Sequence, residues 1–133
     1  MSPKNVVIQG RMTRCEVFST LNDDQVLAEV TRLAAGERRA TAALIRALME
    51  LDARRLYLGG GCSSLFTYCT RVLHLSEGGA YNRIETARAA RRFPVILQML
   101  EQGALTVTAV RLLAPHLTAS NCATVLASAR HTS

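Results

Sequence analysis

The chain has no tryptophan and only one lysine, Lys4, among its sixteen basic residues. Nowhere do about eighteen apolar residues follow one another, so no segment suits a bilayer span. The N-terminal stretch MSPKNVVIQGRMTRC carries an apolar run of only Val6, Val7 and Ile8, too short for the core of a secretory signal. These absences point to a cytoplasmic protein. Strand-like alternation is missing throughout, as are internal repeats and low-complexity tracts. The cysteines, Cys15, Cys62, Cys69 and Cys122, lack zinc-knuckle spacing. Cys62 and Cys69 are two helical turns apart if both are helical, which keeps their sulfurs from meeting, so all four read as buried or incidental thiols in a reducing compartment. The histidines, His74, His116 and His131, match neither H-x-x-x-H nor H-E-x-x-H, and their expected role is capping or surface. No G-x-S-x-G elbow exists, and the acids form no close pair beyond Asp23-Asp24. We expect no catalytic centre, no metal site, no cofactor and no small-molecule substrate.

What is present is apolar and arginine-rich. The 133 residues are 49% hydrophobic, enough for one domain with a real core. Net charge is +6, unevenly spread. Residues 23–52 hold six acids and four arginines, a balance of −2, whereas 53–133 hold nine arginines and three acids, a balance of +6. A polyanionic partner fits that second half, since arginine is the better bidentate ligand for phosphate and guanine. Codon composition alone would produce the same arginine bias, and both explanations stand at this level.

Read in order, residues 1–20 show no sustained period, and a flexible tail is expected, partly docked through Val17 and Phe18. The rest, 21–133, reads as a single all-α domain of about six or seven helices. Asn22 or Asp23 caps the first, with Val26, Leu27, Val30, Leu33 and Ala34 at helical spacing and a short break at Ala35-Gly36. From Glu37 to Arg55 the stripe Ala40, Leu44, Ala47, Leu51, widened by Leu48, predicts one buried face and offers a seam for a homodimer over 40–51. Gly59-Gly60-Gly61 marks a connection; no strand precedes it and no Lys-Ser/Thr follows, so a phosphate loop is disfavoured. Pro94 opens a further helix that Gly103 ends, Thr106 caps the next until Pro115, and a last runs from about Ala119 to Arg130.

Between these lies the outline of a helix-turn-helix over about 63–92. A helix from Ser63 to Leu73 is followed by the turn His74-Leu75-Ser76 and an arginine-rich helix from Glu77 to Arg92 capped by Ser76. At 100° per residue Ala80, Ile84 and Ala87 face inward, while Tyr81, Glu85, Arg88 and Arg92 share another face with Asn82 beside them. If that helix enters a groove, Tyr81, Asn82, Glu85 and Arg88 are its contacts, and Arg54, Arg55, Arg71, Arg83, Arg91 and Arg92 hold phosphates. The alternative is a core helix whose charged face is solvated, with Glu85 and Arg88 paired at i, i+3. Gly78 and Gly79 in its first turn weaken it by about 1 kcal/mol each against alanine.

The segments DARRLYL from Asp52, GCSSLFTYC from Gly61, HLSEG from His74, AYNRI from Ala80, ARAARRFP from Ala87 and LLAPHLT from Leu112 resemble the N-terminal helical region of bacterial HNH endonuclease family proteins. The resemblance covers about residues 21–131. In that family a linker and a metal-dependent nuclease domain follow, and this sequence carries no counterpart of them, so the nuclease residues transfer to nothing here. A looser similarity, over Leu75 to Leu113, is to the helix-turn-helix of ParB-like partition proteins. The resemblance implies a non-catalytic DNA-binding module, truncated before the nuclease. The alternatives are a helical interaction or dimerisation module, or a truncated product without independent function, for which an apolar patch at Val125, Leu126 and Ala129 is the expected sign.

Overall fold

The computed structural model describes residues 14–130, with side chains from residue 17 onward. Among them are seven α-helices and no strand: α1 Arg14–Ser19, α2 Asp23–Arg54, α3 Leu65–Thr67, α4 Glu77–Arg92, α5 Val95–Gln102, α6 Val107–Leu113 and α7 Cys122–Ala129. The all-α expectation is met. The chain divides into two compact units, Met1–Gly36 and Glu37–Ser133.

In the first unit α1 lies inside the stretch read as a tail, and Val17 and Phe18 are 42% and 39% exposed. Asn22 and Gln25 then form a reciprocal cap: Gln25 N–H donates to Asn22 Oδ1 at 2.8 Å, and Asn22 N–H to Gln25 Oε1 at 3.0 Å. Asp23 and Asp24 follow in the first turn of α2, where the helix dipole favours negative charge. The break expected at Ala35-Gly36 does not occur; α2 runs through it for 32 residues. One glycine costs a helix about 1 kcal/mol, too little to interrupt a long run of alanine, leucine, arginine and glutamate.

In the second unit α2 buries Ala42, Ile45 and Leu48, with Leu44, Met49 and Leu51 packed at the margin. The stripe read from the sequence is thus rotated: Ala40 and Ala47 are exposed, and Leu44 and Leu51 lie against the unit's own core. The core is organised around α4, which packs on α6, α3, α5, the π-helical turn Tyr68–Val72 and the 3₁₀ turn Ala114–His116. Ala80, Ile84 and Ala87 face inward as expected, but Thr86, Ala89 and Ala90 are buried too. Small side chains on two sides let α6 approach closely enough for the Thr86 hydroxyl to reach the Val107 carbonyl at 3.4 Å.

The local stop and start signals act as the sequence implies. Ser64, Ser76 and Thr106 accept the amides of Thr67, Gly79 and Ala109. Gly103 ends α5 at φ 79°, a left-handed cap that other residues adopt at a cost. The amides of Gly59, Gly60 and Gly61 are taken by the carbonyls of Leu56, Tyr57 and Leu58, so the glycine loop presents no free cradle. The patch expected at the last helix does not form: Leu126 is buried, and Val125 and Ala129 pack against the core.

Candidate nucleic-acid interface

The two segments of the helix-turn-helix outline form close to their expected bounds, although the first is one α turn continued by a π turn, Leu65–Val72. His74, in the turn, has φ 60°, and Leu75 N–H reaches back to the Cys69 carbonyl at 3.0 Å. Ser76 then starts α4. Six of the sixteen residues of α4 lie in the core.

The exposed arc of α4 carries the residues placed there by periodicity. Tyr81 is 49% exposed, Arg88 and Arg92 are exposed, and Glu85 is half-buried. Each already has a partner within the chain. The Arg111 guanidinium lies 5.5 Å from the Tyr81 ring centroid, a cation–π distance. Arg88 Nε lies 3.5 Å from Asp52 Oδ2, and its Nη1 lies 3.9 Å from Glu85 Oε2. Arg92 Nη2 donates to the Leu117 carbonyl at 3.0 Å while its guanidinium stacks 4.8 Å from the Phe93 centroid. Asn82 is half-buried beside this arc.

The phosphate candidates divide into four kinds. Arg91 donates to the Met49 carbonyl and so ties α4 to α2. Arg54 pairs with Glu50 one turn back at 2.6 Å. Arg83 turns inward: its Nη1 donates to the Gly79 carbonyl at 3.2 Å, and its Nε is buried with no acceptor among the described residues. It therefore does not share the outer arc with Arg88 and Arg92. Arg55, at φ 53°, and Arg71 are exposed, and their side chains make no hydrogen bond or ion pair among the described residues. Periodicity could not separate these kinds, because the partners of Arg88, Arg91 and Arg92 lie 25 to 42 positions away.

Away from this arc, Arg46 pairs with Glu101 at 2.8 Å. The bond to Arg46 holds the Glu101 carboxyl below its ordinary range, with a weaker contribution from the charge of Arg39. Burial pushes the Cys69 thiol up, partly opposed by the nearby Arg83 charge. Cys62 and Cys69 are both buried free thiols. Among the described residues no cluster of His, Cys, Asp or Glu could hold a metal, and no helix is long and apolar enough to cross a membrane. Sequence reasoning missed Arg111, the partner of Tyr81, and Arg38, which folds over Gly103; a Cβ at Gly103 would lie 2.9 Å from Arg38 Nε. Neither has a signal in local spacing.

Compared with family models, with curated proteins and with solved structures, the chain matches none.

Proposed function

We propose that this chain is a non-catalytic helical module that binds duplex DNA by its phosphate backbone rather than by reading bases. The observation that carries the reading is the charge of residues 53–133, nine arginines against three acids, with Arg55 and Arg71 exposed and unpaired among the described residues. Phosphate capture needs only accessible cations, whereas base readout needs a helix free to enter the groove. The burial of α4 on two sides favours the first over the second. The resemblance to the front part of HNH endonucleases agrees with a DNA partner. The test is titration of the purified chain against labelled duplexes of two unrelated sequences. Equal affinity for both supports backbone binding, and strong preference for one points to base readout.

A second reading has its own observation. In the first unit Leu27, Val30 and Leu33 of α2 are 66%, 59% and 46% exposed. Such a face suits a second copy of this chain, and it replaces the 40–51 seam, whose leucines are used internally. Light scattering tests it: Leu27→Glu with Val30→Glu should convert a dimer to a monomer, and a wild-type monomer at high concentration excludes it.

A further inference from the structure

Residues 23–36 are the part of α2 that belongs to the first unit. At 100° per residue Leu27, Val30, Leu33 and Ala34 fall within about a third of its circumference, and all four are exposed. They form a continuous stripe along one helix rather than scattered apolar side chains. Glu29 and Arg32 border the stripe on the Leu33 side and pair with each other at i, i+3. Asp23 and Asp24 stand together in the first turn.

These charges decide how a second copy of the chain lies on the stripe. Two helices related by a two-fold axis run either parallel or antiparallel. Parallel copies bring Asp23 and Asp24 of both chains to one end and align the two helix dipoles, and like charges so close are little screened. Antiparallel copies send the acids to opposite ends and oppose the dipoles. They also set each flank of the stripe against the same flank of the other copy. With the axis beside Val30, Leu27 meets Leu33 and Ala34 of the other copy, and Glu29 meets Arg32 on both sides of the axis. A slip of one turn in one direction sets Glu29 on Glu29, and in the other direction Arg32 on Arg32. One register therefore joins the apolar stripe and the opposite charges together. We infer that this face holds a second copy of the chain antiparallel to the first, with Val30 at the two-fold axis. The inference rests on the dimer reading above and adds its orientation and register. About four turns overlap, so the affinity expected is micromolar rather than nanomolar.

The test uses the full 133-residue chain, its association measured by light scattering at concentrations well above micromolar. Leu27→Cys and Ala34→Cys chains are mixed and treated with a short bismaleimide, and the linked peptides are identified by mass, which sets apart links through native cysteines. Leu27→Cys should link to Ala34→Cys, and neither chain to itself. Glu29→Arg and Arg32→Glu should each weaken dimerisation about fivefold, and the combined variant should recover it, because both contacts across the axis return with their signs exchanged. A wild-type chain that stays monomeric overturns the dimer reading and the inference with it. A dimer in which Leu27→Cys links to itself, or in which both charge variants associate as the wild type does, overturns the orientation alone. The charge variants decide the matter if a cysteine variant fails to fold.

Discussion

Arg88, on the exposed arc of α4, reaches across to Asp52 near the end of α2, with Nε 3.5 Å from Oδ2, and Glu85 flanks it from one turn back. The side chain best placed by periodicity to meet DNA is therefore already offset by two carboxylates. Removing those carboxylates should matter more than removing the arginine. Asp52→Asn combined with Glu85→Gln should tighten DNA binding by about two- to fivefold at low salt, the scale of exposed charge pairs. Arg88→Ala alone should weaken it less than the pair Arg55→Ala and Arg71→Ala. Fluorescence anisotropy of a labelled duplex measures both, and a larger effect from Arg88→Ala would return α4 to the role of groove-reading helix.

Arg92 has a different task. Its bond to the Leu117 carbonyl and its stacking on Phe93 join α4 to the segment before α7. Arg92→Ala should lower stability by about 1–3 kcal/mol in urea denaturation, the scale of a hydrogen bond to a charged group. Arg92→Lys should recover less than half of it, since an ammonium has no plane to stack.

The two glycines that open α4 should respond oppositely to alanine. A Cβ at Gly78 meets nothing, so Gly78→Ala should stabilise by about 0.5–1 kcal/mol. A Cβ at Gly79 would lie 2.9 Å from Ser76 Oγ, the cap itself, so Gly79→Ala should displace the cap and destabilise. Thermal melts of the two variants give the signs directly.

That contrast shows what could be read from the chain and what could not. Caps and stops are local: Ser76, Thr106 and Gly103 act within four residues of where they stand, and their roles are legible. The face of α2 is not. Alanine suits a surface as well as a core, so Ala40 and Ala47 look equivalent to Ala42, and only the packing of the second unit's core decides among them. The inner face of α4 is half legible, because Ile84 announces it while Thr86, Ala89 and Ala90 do not. The arginines are least legible of all. Nothing near Arg91 in sequence indicates the Met49 carbonyl, and nothing near Arg83 indicates that its Nε is buried.

Acid should weaken the second unit through Glu101. Its bond to Arg46 holds its folded pKa below the ordinary carboxylate value of 4.5, so its contribution is fully present above that value. It is lost as pH falls through the lower, folded pKa. Glu101→Gln should therefore lower stability slightly near neutrality and flatten the acid limb of the stability profile below pH 4.5 by the same small amount, since the pair is exposed. Urea midpoints from acid to neutral pH check this, and an unchanged acid limb would assign the effect to other carboxylates.

The central claim, that exposed guanidiniums capture the phosphate backbone, meets its most direct test in the salt dependence of duplex binding. The logarithm of the binding constant should fall linearly with the logarithm of salt concentration. The combined Arg55→Ala and Arg71→Ala variant should reduce the magnitude of that slope by about 2, close to one for each phosphate that is no longer neutralised. A binding constant indifferent to salt, or a slope that the double variant leaves unchanged, would contradict it.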